Sequence, residues 1–256
     1  MNVQGLGDNK KCRDVITFLK GKHLNICCIQ DTHYTDKTIP FVRSLWDYEC
    51  YFSNYSSQSR GVAILINNNF DFKYINSEID DTGSYIRLDF SSQEIVITIF
   101  CIYGPNNDNP EFNNRIRGKL LTIDNACILV GDFILVIYPE KDYQNYVNIN
   151  NPKARDFVLE ILLEFDLVDC WREGHTKERK YTWLKKTPLK QARLDFFLSS
   201  GPLFSSLDDS KISPGYRSDY SLISITVDIN KSTAGHSYCK FNNSLLKDQI
   251  YVHKIK

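Results

Sequence analysis

Between residues 61 and 103 four apolar runs follow one another: GVAILI (61–66), FDFKYINS (70–77), SYIRLDF (84–90) and EIVITIFCIY (94–103). Each is rich in β-branched and aromatic side chains, which suit a pleated, half-buried surface. Asn, Asp, Gly and Ser separate the runs, and these are turn formers. The spacing predicts an antiparallel meander. A chain with that much strand needs another layer to cover it. Helices are predicted at 13–20 (RDVITFLK), at 110–122 and most clearly at 152–165. In the last, Phe157, Val158, Ile161, Leu162 and Phe165 form one face, Pro152 suits the first turn and Asn151 suits the cap. Further strands are expected at 25–30, 126–131, 181–184, 193–198 and 221–228. Strands and helices in this order predict α/β layers with antiparallel or mixed sheets. From about residue 230 the apolar periodicity weakens, and 230–256 reads as a tail or linker.

Composition narrows the class. The 256 residues can bury one large core, as one domain or two. A hydrophobic fraction of 42% and a charged fraction of 24% are those of a soluble globular protein. No apolar run approaches the ~20 residues that span a membrane. The opening MNVQGLGDNKKC lacks the apolar stretch of a signal peptide, so an intracellular place is expected. Eight cysteines without a CxxC pair argue against a thiolate metal site and for reduced thiols. The formal net charge of +0 decides nothing by itself, but residues 177–193 hold seven basic side chains against one acid, with Tyr181 and Trp183 among them. Two readings stand: a strip that grips nucleic-acid phosphates, or a solvated loop whose aromatics face the core.

Several polar residues share one placement, at the C-terminal end of an apolar stretch: Asp31, Tyr103, Asp132, Asp195 and Asp219. In layered α/β proteins, sites commonly lie where strand ends converge. Any one such aspartate is explained by a turn or a cap. Five together point to a site, and carboxylate oxygens suit a hard cation such as Mg²⁺. His33 reads as structural or exposed, and His23, His175, His236 and His253 show no partner spacing.

Taken in order, Asn2 in NVQGL, IQDTHY (29–34), GVAILI, IYGPN (102–106), GDF (131–133), YTW (181–183), RLDFFL (193–198) and SDYS (218–221) resemble the endonuclease/exonuclease/phosphatase superfamily. The nearest resemblance is to the apurinic-type endonuclease domain of non-long-terminal-repeat retrotransposon polyproteins. It covers roughly residues 1 to 228, so 1–229 is expected to be one such domain, a four-layer α/β sandwich with two packed mixed β-sheets flanked by helices. The segment 240–256 resembles the connector to a reverse transcriptase, so the chain reads as a fragment or a free-standing copy. It also begins at Asn2 of the motif without the apolar strand that precedes it in the family. A central strand is therefore expected to be missing, leaving sheet edges unpaired.

The resemblance implies Mg²⁺-dependent cleavage of a DNA phosphodiester, with Mn²⁺ as a possible substitute, no small-molecule cofactor, no membrane and a nuclear place of work. Carried over position by position, Asp31 and Asp219 would hold the metal and Asn2 a phosphate or ligand oxygen. Tyr103 would contact the phosphate, Asp132 would orient or deprotonate the water, and Asp195 would pair with position 220.

Three positions depart from the family pattern. Where it reads Gly-Asp-Phe-Asn, this chain has Ile134, and losing one donor to a developing oxyanion costs ~10² to 10³ in rate. Tyr220 stands where a histidine is usual, and a phenol with pKa about 10 carries no positive charge near neutrality. Losing the imidazole costs roughly 10² to 10⁴ more, although such losses need not add. Asp31 is one methylene shorter than the usual glutamate. Each change is a single-nucleotide step, the pattern of drift. The expectation is an impaired endonuclease or a catalytically dead relic that at most binds nucleic acid.

Overall fold

The computed structural model describes residues 1–146 and 151–229. Helix α1 (Asn9–Lys20) leads to β1 (Ile26–Gln30), and α2 (Ile39–Trp46) leads to β2 (Cys50–Ser53) and β3 (Val62–Ile66). The strands β4 (Lys73–Ile79), β5 (Tyr85–Ser92) and β6 (Ile95–Tyr103) follow, then α3 (Pro110–Leu120) and β7 (Ala126–Asp132). Short pieces come next: α4 (Pro139–Asp142), β8 (Tyr143–Gln144), then the long α5 (Pro152–Glu164), β9 (Leu167–Asp169) and α6 (Cys170–Gly174). The chain closes with β10 (Trp183–Lys185), β11 (Lys190–Ala192), β12 (Asp195–Ser200), α7 (Gly201–Phe204), β13 (Leu207–Ser213) and β14 (Leu222–Val227). The proposed connector at 230–256 lies outside the described residues.

Period-two burial builds the layers. In β7, Ile128 and Val130 face one way and Cys127 and Leu129 the other; in β6, Ile97, Ile99 and Cys101 oppose Phe100 and Ile102. One face of the sheet β4-β5-β6-β7-β12-β9 packs beneath α3 and α5. Its other face meets the sheet β1-β3-β2 and the pair β13-β14. In β3, Val62, Ile64 and Ile66 join that inter-sheet core, while Ala63 and Leu65 face α1 and α2. The result is helix, sheet, sheet, helix: the expected four-layer sandwich with mixed and antiparallel sheets. Only β6 and β7 pair in parallel within the large sheet, joined through α3.

Two local expectations are corrected. The meander comprises β4, β5 and β6 only; the run 61–66 crosses to the second sheet between β1 and β2. Its side chains are buried on both faces, and that lets it sit in the centre of a sheet. Asn151 does not cap α5 with its side chain. Its Nδ2 donates instead to the Ile134 carbonyl at 3.0 Å, and Asp108 accepts from the N–H groups of Lys153 and Ala154. A carboxylate from a separate loop thus meets the open N–H groups of that helix.

Candidate active site

The inter-sheet face of β7 carries Ile128, then Val130, and the next residue on that face is Asp132. Asp132 lies opposite Asp195 across the antiparallel pair with β12, and opposite Tyr103 across the parallel pair with β6. The three side chains therefore form one row on adjacent strands, where the hydrocarbon of the inter-sheet core ends. Gly131 permits that register: its φ is +145°, and a Cβ there would lie 1.9 Å from the Ile102 carbonyl oxygen. Of the five strand-end residues expected to converge, the register brings three together: Tyr103, Asp132 and Asp195.

The N-terminal segment closes one side of the row. Val3 N–H donates to the Gln30 carbonyl, and Asn2 bridges to Gln30 in parallel. Asn2, itself buried, donates from Nδ2 to Asp132 Oδ2 at 2.9 Å. The Ile134 N–H donates to Asp132 Oδ1 at 2.9 Å. Asp132 has no exposed surface, and burial pushes its carboxyl up to about 6. The hydrogen bonds from Asn2, Ile134 and the Tyr220 hydroxyl pull the other way but do not cancel the burial.

Asp195 is as deeply buried, and neither of its carboxylate oxygens has a hydrogen-bond partner. Burial, then the charge of Asp132, raises its pKa well above the usual carboxylate range. The expected pairing of Asp195 with position 220 is not formed. A phenol has one proton to donate, and Tyr220 gives it to Asp132. Burial first, and then Asp132 and Asp195, raise the Tyr220 pKa, so it stays a neutral donor.

Ile134 adopts φ +54°, in the left-handed region. A β-branched residue there is a strained outlier, whereas asparagine is enriched there. The backbone at 134 thus suits an asparagine better than the isoleucine it carries.

The acids expected to hold the metal, Asp31 and Asp219, are less buried than Asp132 and Asp195. Asp31 Oδ1 is 3.0 Å from His33 Nε2 and accepts from the Arg60 N–H at 3.2 Å; the Tyr103 hydroxyl bonds the same carboxylate. Asp219 is exposed, and its Oδ2 accepts from Trp183 Nε1 at 3.0 Å. Among the described residues no cluster of three or more His, Cys, Asp or Glu side chains is placed to hold a metal. Mg²⁺ commonly takes only one or two carboxylates, with waters and substrate phosphate completing its shell. Asp31 and Asp219 supply two carboxylates, a number that suits such a weakly held ion and is too few for a closed cage.

His33, expected to be structural or exposed, is the partner of Asp31, packed so closely that a Cβ on Gly5 would lie 2.6 Å from its Nδ1. Gln4 was also missed: its Oε1 lies 3.3 Å from the Asp219 N–H. The adjacency of His33 to Asp31 was the available signal; nothing marked Gln4. The basic stretch divides between its two readings. Lys177, Arg179, Lys180, Lys185 and Lys186 are exposed, whereas Trp183 packs edge-on to Tyr146. Arg193 is buried, bidentate to both Asp142 and Asp169. The β10–β11 hairpin still borders the row, because Trp183 bridges Tyr220.

No family model matches the chain. Over 266 aligned positions, covering its whole length, it is 24% identical to the "Transposon TX1 uncharacterized 149 kDa protein" of Xenopus laevis, and it spans 20% of that protein. Its structure is similar to an AP endonuclease from Archaeoglobus fulgidus, with a TM-score of 0.71 at 22% identity, covering 89% of this chain and 97% of that one. The AP endonuclease LMAP from Leishmania major superposes with a TM-score of 0.74 at 16% identity, covering 88% and 85%. The APE2 catalytic domain of Xenopus laevis gives 0.66 at 19%, covering 88% and 90%. The fold of this chain is that of these AP endonucleases.

Proposed function

We propose that the chain is a DNA endonuclease of retroelement type, hydrolysing phosphodiesters with a divalent cation, and that Ile134 and Tyr220 impair it. The observation that carries the reading is the row of Asp132, Asp195 and Tyr103 with Asn2 closing on it. Asp132, with its carboxyl near 6, is mostly ionised around neutrality and suited to accept a proton from water. Asn2 fixes the orientation of that carboxylate. The hydroxyls of Tyr103 and Tyr220 are neutral donors for phosphate oxygens. Asp31 and Asp219 would hold Mg²⁺ or Mn²⁺, which when bound neutralises charge on the phosphate. The exposed lysines and arginine before and within the β10–β11 hairpin would meet the DNA backbone. In a longer relative a reverse transcriptase would follow, and the nucleus is where such a chain meets DNA.

A second reading, a relic that binds nucleic acid without cutting it, is favoured by the unpartnered Asp195 carboxylate. Plasmid nicking separates the two. With Mg²⁺, the endonuclease reading expects slow nicking that chelator abolishes and that Asp132→Ala removes. Binding without any nicking, even at high enzyme concentration, establishes the relic. Nicking that persists undiminished in Asp132→Ala overturns the assigned site.

A further inference from the structure

Lys11 lies in the first turn of α1, whose cap Asp8 accepts from the Lys11 N–H at 2.7 Å. Side chains of a helix lean towards its N-terminus. The Lys11 stem runs back over the cap in this way, and its ammonium donates to two carbonyls of the preceding segment, Val3 O and Gln4 O, at 2.8 Å each. Gln4 has φ +49° and Gly5 φ +76°. A left-handed glutamine persists only where its surroundings hold it, and the ammonium on its carbonyl is one such hold.

That segment spans the two acids that the proposed function gives to the metal. On one side the Gly5 N–H donates to the Asp31 carbonyl at 2.7 Å. On the other, Gln4 Oε1 accepts from the Asp219 N–H at 3.3 Å and from Ser218 Oγ at 3.4 Å. An ammonium fixed to the Gln4 carbonyl therefore stands beside both Asp31 and Asp219, and its charge acts on both carboxylates. Two of its three N–H groups are taken by the carbonyls, which fixes the charge in place. Arg217, a second cation near it, is tied to Asp14.

We propose that Lys11 is a positioning residue and a built-in counter-ion: its ammonium holds the Val3–Gln4 segment and offsets part of the negative charge of Asp31 and Asp219, so that the free chain binds a divalent cation weakly. The inference rests on the proposed placement of the metal at these two acids. A fixed positive charge beside the seat repels a divalent cation, and where solvent reaches the acids that repulsion amounts to about tenfold in affinity.

Mn²⁺ binding to the full chain, followed by electron paramagnetic resonance of the free ion, tests this. Lys11→Met removes the charge and keeps most of the stem, while Lys11→Gln keeps a neutral donor for one carbonyl. Both should bind Mn²⁺ about tenfold more tightly than the starting chain, whereas Lys11→Arg, which keeps the charge, should match it. A purely structural lysine predicts the opposite, because loosening the segment beside both acids weakens their grip on the ion. Adding Asp31→Asn/Asp219→Asn to Lys11→Met should remove the gain. Unchanged or weaker Mn²⁺ binding in both neutral variants overturns the proposal, and it overturns the proposal alone if Asp31→Asn/Asp219→Asn in the starting chain still reduces binding. A gain that survives loss of the two acids puts the ion elsewhere, and it overturns the metal placement of the proposed function as well.

Discussion

Ile134 is the residue at which sequence and structure meet most directly. Its hydrocarbon side chain was legible as a departure; its φ of +54° was not, because backbone conformation is set by the turn after β7. A β-branched residue in this region costs about 1–2 kcal/mol. Ile134→Asn should therefore raise stability by about 1 kcal/mol, whatever it does to activity. A thermal melt checks this, and an unchanged or lower Tm means that the turn is not strained. Asp195 makes a second case. Its folded pKa and that of Asp132 are raised above the unfolded value of about 3.9, so the folded chain holds those protons more tightly. Stability is then fullest below pH ~4 and falls as pH rises through the folded value, near 6 for Asp132. Asp195→Asn removes one of the two carboxyls whose protonation folding favours, so its Tm advantage over the starting chain should widen between pH ~4 and ~7. An advantage that is constant across that range would show that folding does not raise the pKa of Asp195.

At the scale of elements, what was legible was whatever repeats. Runs of β-branched and aromatic residues between turn formers gave β5 and β6, an unbroken apolar run gave β7, and the apolar stripe gave α5. Chain neighbours need not be sheet neighbours, so 61–66 was read into the wrong sheet. The short α2, β2, α4 and α6 carry too few residues to show a period. The buried cluster around Arg193 was invisible for a different reason. Its partners, Asp142 and Asp169, stand 51 and 24 residues away, so Arg193 read as one more member of a basic strip. Arg172 also bonds Asp142, and the cluster thereby ties α4, β9 and α6 to the residue two before Asp195. Removing one partner leaves buried guanidinium groups uncompensated. Asp142→Ala should cost about 3–5 kcal/mol, and Asp142→Asn less. Chemical denaturation measures both; a loss under ~1 kcal/mol would show that water reaches the cluster.

For the whole molecule, the order of the motifs carried more than any single one, since each strand-end residue had a local explanation and only their convergence did not. The fold bears out the architecture that order implied; in the proposed function, Ile134 and Tyr220 are the two main departures at the site. The charge argument ranks them. A protonated histidine at 220 would offer a cation to Asp195 and to the phosphate, whereas asparagine at 134 returns only a neutral amide. Nicking of supercoiled plasmid with Mg²⁺, with and without chelator, by the Ile134→Asn/Tyr220→His double revertant tests the central claim most directly. The double revertant should nick at least ~10²-fold faster than the starting chain, in a chelator-sensitive way, with Tyr220→His alone recovering more than Ile134→Asn alone. A folded double revertant that nicks no faster than the starting chain would contradict it.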